Sequence, residues 1–163
     1  MKYIFTLITL LTLICHSKFY SQSNFKKYRE YKKYKLKAED PKVLQENGKT
    51  SWTVKTTLNN RSSDTLFYFI TTNCEAVYYS VDTMALFVDF QRCETDKKTV
   101  IAVSPKGQHV VDLKISAHKP LTSSMPFRVI MFIYKAKSMT DNIPHDELMK
   151  TRALLYVSNQ IKT

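Results

Sequence analysis

In one short run after another between residues 52 and 133, apolar side chains recur at every second position, and polar or proline-bearing clusters separate the runs. Trp52, Val54, Thr56 and Leu58 alternate with polar neighbours. Val77, Tyr79 and Val81 follow the same rule, as do Leu86, Val88 and Phe90, and then Phe127, Val129, Met131 and Ile133. Successive side chains of an extended chain point to opposite faces, so a period of two marks strands with one face in a core and the other in water. Leu66–Ile70 is nearly continuous in apolar residues, as expected of a central strand covered on both faces. Thr99–Val103, Val110–Ile115 and Leu154–Ser158 read as further strands. No long helical period runs through this region, so the class expected is all-β.

The turns predict a pairing. Asn59–Asp64 is a polar cluster whose side chains can cap their own backbone. Asn60-Arg61-Ser62 within it matches a glycosylation sequon and is read as turn composition. Ser104-Pro105-Lys106-Gly107 has proline and glycine where a turn favours them, and it joins Thr99–Val103 to Val110–Ile115 as a pair. If Asp82 to Ala85 form a four-residue hairpin loop, Val81 faces Leu86, Tyr79 faces Val88 and Val77 faces Phe90 on one sheet face. That register puts Cys74 opposite Cys93 on the other face.

The first residues read as a targeting signal. Lys2 gives a positive start, and Ile4 to Cys15 is apolar but too short for a comfortable membrane span. Residues 1–21 are expected to be a signal peptide, cleaved after Ser21 in preference to Ser17. Cys15 as a lipoprotein acylation site is the alternative, disfavoured by the bulky Ile14 before it. The chain is thus expected to be exported to the periplasm, the outer surface or the medium. Removing Lys2 and Lys18 with the signal leaves 23 basic against 14 acidic residues, a charge of +9. Cys74 and Cys93 then remain in an oxidising compartment and are expected to form a disulfide that contributes roughly 3 kcal/mol. No CxxC spacing or nearby histidine supports a reactive thiol or a metal pair.

Residues 22–48 form a basic arm ahead of a domain spanning 49–163. Lys26, Lys27, Arg29, Lys32, Lys33, Lys35 and Lys37 oppose only Glu30, and Tyr28, Tyr31 and Tyr34 are interleaved with them. Two readings stand: a solvated arm whose tyrosines lie on the domain, or an element binding an anionic partner. Phe25, Tyr28, Tyr31 and Tyr34 recur every third residue, which suits a short helix, while Tyr34 and Leu36 could equally begin a strand. Weak, salt-sensitive binding to anionic envelope polymers is expected, and nucleic acid is out of reach of an exported chain.

Catalytic signals are sparse. The 44% hydrophobic and 12% aromatic content describe a globular chain of one domain. Two glycines, Gly48 and Gly107, are too few for the glycine-rich phosphate loops of nucleotide-binding folds. Asp141, His145, Asp146 and Glu147 are the densest set of potential ligands. Pro144 followed by His-Asp-Glu-Leu reads instead as the first turn of a short helix, where acids suit the dipole. His109 and His118 sit near strand ends and read as surface histidines. No serine lies in a nucleophile elbow. No enzyme activity, cofactor or metal is expected.

The Asn-Asn-x-Ser-Ser-Asp turn, Thr65-Leu-Phe-Tyr-Phe, the Cys…Cys pair, the Ser-Pro-x-Gly turn and the closing Tyr-Val-Ser-Asn-Gln-Ile resemble small secreted bacterial immunoglobulin-like domains. More distantly, the layout over residues 50–163 is similar to immunoglobulin-like bacterial proteinase inhibitors. The resemblance implies a β-sandwich of about seven strands and brings no catalytic residue. A sandwich presents loops and edge strands to partners, so a non-enzymatic interaction module is expected, an accessory subunit of a cell-envelope assembly, and the distant resemblance implies a proteinase inhibitor as the alternative.

Overall fold

The computed structural model describes residues 32–46, 49–70, 74–90 and 99–163. The chain divides into two units, residues 1–33 and 34–163, and the fold is that of the second. It is all-β, with twelve strands among the described residues where about seven were expected. The first sheet holds β1 (Tyr34–Ala38), β2 (Lys42–Glu46), β3 (Lys49–Asn60), β6 (Leu86–Asp89) and β8 (Gln108–Ala117), in the order β1-β3-β8-β6 with β2 also on β3. The second holds β4 (Leu66–Ile70), β5 (Tyr79–Val81), β7 (Thr99–Val103), β10 (Val129–Ala136) and β11 (Leu154–Val157), in the order β11-β10-β4-β7 with β5 also on β10. β9 (Pro126–Phe127) and β12 (Ile161–Lys162) form a separate pair. Every pairing is antiparallel.

The alternating residues face inward as predicted. Trp52, Val54, Thr56 and Leu58 are buried on β3, as are Phe127, Val129, Met131 and Ile133 on β9 and β10. With Leu36, Leu113, Ile115, Tyr68 and Tyr156 they belong to one core drawn from both large sheets, an arrangement consistent with a β-sandwich. β4 is flanked by β10 and β7 and is covered on both faces. Leu66 and Tyr68 enter the shared core, while Phe69 packs in a second cluster with Val100 and Leu148. Leu148 comes from α1 (His145–Lys150), the short helix expected after Pro144.

Three expectations need correcting. Residues 77–81 and 86–90 are not a hairpin: Glu75–Tyr78 wind into a 3₁₀ turn, β5 pairs with β10 and β6 pairs with β8. Val81 lies opposite Val129, Leu86 lies opposite Ala117, and Phe90 is 53% exposed. Both runs still line the same core from opposite sheets, because alternation specifies the face of a strand and not its partner.

Likewise β7 and β8 are not paired. β7 lies against β4, β8 lies against β3 and β6, and the Ser104–Gly107 turn crosses from one sheet to the other. Lys106 adopts a left-handed φ of 59° there. A Cβ on Gly107 would sit 2.9 Å from the Ser104 carbonyl oxygen, so glycine permits that close approach.

Finally, the sheet begins at Tyr34 and not at residue 49, because β1 and β2 both line one edge of β3. Between them Glu39, Asp40 and Pro41 face only Val54 and Lys55, a bulge that suits a proline without an N–H on an edge strand. Tyr34, Leu36 and Ala38 are core residues.

Candidate functional site

Of the ten residues expected to contact an anionic partner, five are among the described residues. Lys26, Lys27, Tyr28, Arg29 and Tyr31 lie outside the described residues. Lys32 is exposed and Lys33 half-buried, both in the first unit. On β1 the pattern alternates strictly, with Lys35 and Lys37 exposed and the residues between them buried. Tyr34 is only 5% exposed. Its ring meets Tyr156 edge-on at 6.0 Å and lies under the Lys135 ammonium at 5.3 Å. It is therefore a packed core residue and not a surface for ligands. Cys74 begins the 3₁₀ turn, and Cys93 lies outside the described residues.

Beside Lys35 the strand ends are tied together by one side chain. Asn60 is 1% exposed. Its amide nitrogen donates to the carbonyl oxygens of Asp64 (2.7 Å), Val103 (2.9 Å) and Ser104 (3.1 Å). Its amide oxygen accepts from the backbone N–H of Ser62 (3.0 Å) and from the Ser62 hydroxyl (2.7 Å). Such a buried, fully engaged amide is a structural hub, and the sequon it belongs to offers no free nitrogen for a glycan. The two turns it joins hold Arg61 and Lys106 exposed, and the Lys106 ammonium donates to the Arg61 carbonyl at 2.5 Å. Neither cation was singled out by sequence, because only the fold brings residue 61 next to residue 106.

A second polar group lies between the sheets. His109 lies opposite the buried Leu58 and so faces inward, contrary to a surface histidine. Its Nε2 lies 2.8 Å from both carboxylate oxygens of Glu75, and the Tyr68 hydroxyl donates to Glu75 Oε1 at 2.8 Å. Tyr68 reaches Glu75 from the second sheet and His109 from the first, so the carboxylate bridges the two. Burial, reinforced by the charge of Glu75 and the hydrogen bond to it, pushes the Tyr68 phenol well above its ordinary range. Tyr79 is raised too, by burial and then by Glu75, against an opposing hydrogen bond with Thr56. Phenols held protonated in this way donate hydrogen bonds and are poor nucleophiles. Glu75 carried no sequence signal, since its partners come from strands seven and thirty-four positions away.

The outer face of the second sheet is apolar. Cross-strand pairs Ile130↔Val157 and Phe132↔Leu155 place four hydrocarbon side chains together there. Leu155 and Val157 are 43% and 51% exposed. α1 covers the neighbouring area around Phe69, Val100 and Tyr134. In the loop before it, Asp141 Oδ2 accepts from the Lys137 N–H at 2.7 Å, a turn-forming role. Among the described residues no group of three His, Cys, Asp or Glu side chains could hold a metal ion, and no helix is long and apolar enough to cross a membrane. No family model matches the chain, and no curated protein matches it.

Proposed function

We propose that this chain is an exported, non-enzymatic interaction module with an immunoglobulin-like sandwich. Two five-stranded antiparallel sheets facing one core support the fold reading. The observation that carries the functional reading is the apolar quartet Ile130, Phe132, Leu155 and Val157, aligned on and beside β11. β11 is the last strand of its sheet and has the uncharged sequence Leu-Leu-Tyr-Val. The chain continues from β11 to Asn159, whose side chain accepts from the Ala38 N–H (3.0 Å) and donates to the Ala38 carbonyl (2.9 Å), so β1 lies beside β11 and the open surface here is the outward face. An uncharged outward face carrying exposed aliphatic groups suits a protein partner.

Crosslinking in the native envelope with the wild type and with Leu155→Asp/Val157→Asp tests this. One defined adduct lost in the variant, at unchanged thermal stability, supports the reading; equal adducts from both refute it. The proteinase-inhibitor alternative is tested by titrating a panel of cysteine and serine proteases, where no inhibition at micromolar concentration removes it. A Cys74–Cys93 disulfide belongs to the exported reading. Labelling the unfolded, unreduced protein should find no pair of free thiols, and two reactive thiols would refute the bond.

A further inference from the structure

The corner around Asn60 gathers four exposed cations from three separate stretches of chain. Lys35 and Lys37 stand outward on β1, where Lys35 lies opposite Asn59 and Asn59 lies opposite Gln108. Arg61 directly follows β3, and Lys106 precedes β8 in the turn that Asn60 ties down. Asp64 is the acid in these turns. Glu39, past the end of β1, is paired with Lys55 at 3.8 Å, and Asp112 lies opposite the same Lys55, beyond the row of Lys37 and Thr57. The corner therefore keeps a local excess of positive charge.

Three features define what would bind there. The cations are carried by paired strands and by turns whose carbonyls are locked through Asn60, so the backbone loses little freedom on binding. Lys35 and Lys37, two residues apart on an extended strand, are separated by roughly 6.8 Å, which suits repeated charges on one polymer better than a single small anion. The Thr57 hydroxyl, the Gln108 amide and the Asn59 amide oxygen, whose nitrogen donates to the Lys35 and Thr57 carbonyls, lie on strands beside the amines and are of the kind that match sugar hydroxyls.

We propose that Lys35, Lys37, Arg61 and Lys106 form a binding site for an acidic polysaccharide bearing carboxylate or sulfate groups. The site deepens the interaction-module reading by adding a second partner class, recognised by side chains other than the aliphatic ones of β11.

The test titrates the protein with dextran sulfate and with polygalacturonate, using neutral dextran as the control, at low and high salt. Both acidic polymers should bind, neutral dextran should not, and high salt should weaken binding. Lys35→Gln/Lys37→Gln/Arg61→Gln/Lys106→Gly should raise Kd about tenfold, which corresponds to about 1.4 kcal/mol. Thermal unfolding should change little, since all four side chains are exposed, the one bond lost, from Lys106 to the Arg61 carbonyl, is at the surface, and glycine accepts the φ of residue 106.

Retained binding in that variant overturns the site, as does loss confined to Lys26→Gln/Lys27→Gln/Arg29→Gln. Binding to anionic phospholipid vesicles with none to either polysaccharide overturns the ligand class. Leu155→Asp/Val157→Asp should leave polysaccharide binding intact, so failure of the β11 reading is read separately from failure of this one.

Discussion

On its outer face the first sheet carries Lys35, Lys37, Lys55, Thr57 and Lys114, whereas the second carries Phe67, Phe69, Ile130, Phe132 and Tyr134. Both sheets turn an apolar inner face to the same core. The first is finished once that core forms, because its other side is soluble. The second keeps a hydrocarbon surface that must be covered or used. α1 covers one part by inserting Leu148 over Phe69 and Val100, and Leu155 and Val157 mark the part left to solvent. A one-faced sheet is complete in itself, while a two-faced sheet invites a further layer.

The largest effect expected concerns the polar sheet. Deleting residues 22–37 removes most of β1 and, with it, Tyr34 and Leu36 from the core. The truncated chain should lose its cooperative unfolding transition in circular dichroism. If it still unfolds cooperatively near the wild-type temperature, β1 is dispensable, and the first sheet ends at β2 and β3.

Next in size is the covered half of the apolar face. Leu148→Ala empties a fully buried site and should cost about 2–5 kcal/mol by chemical denaturation. A loss below about 0.5 kcal/mol would place Leu148 among ordinary surface positions, and α1 would not be a packed layer.

The two sheets also differ in how far their sequences announced them. β3 was legible because its buried residues alternate with polar ones, and its inward set is the one observed. β4 was legible as two-faced because both of its sides are apolar. Pairing was not legible. Tyr79 and Leu86 have the right faces and the wrong partners, because the 3₁₀ turn at Glu75–Tyr78 redirects the chain in a way that alternation does not encode. β1 was half legible: Tyr34 and Leu36 already suggested the start of a strand, but the lysines between and before them kept residues 22–48 reading as an arm. Arg61 beside Lys106, and Glu75 beside His109, arise from contacts between distant stretches and have no local signature.

The space between the sheets gives a smaller, pH-dependent effect. Tyr68 and Tyr79 hold their protons more tightly folded than unfolded. Below about pH 10 both states are protonated and the contribution is complete. Above it the unfolded chain releases these protons first, so stability should fall by up to about 1.4 kcal/mol per pH unit per tyrosine. Ultraviolet titration should show two tyrosines ionising only as the protein unfolds. If Tyr68→Phe/Tyr79→Phe keeps both late-ionising phenols and loses two that titrate early, that assignment is wrong.

The smallest effect sharpens the contrast between the outer faces. Lys35 and Lys37 project from the polar face with their stems in water, and their neighbours Asn59 and Thr57 need nothing from them. Lys35→Gln/Lys37→Gln should therefore change stability by less than about 0.5 kcal/mol. Leu148→Ala on the opposite outer face removes fewer charges and costs several times more, because burial and not charge decides the outcome there. Denaturant melts of the two variants side by side measure the difference. If the lysine pair costs as much as Leu148, the basic face packs against something, and the polar sheet is then a two-faced sheet as well.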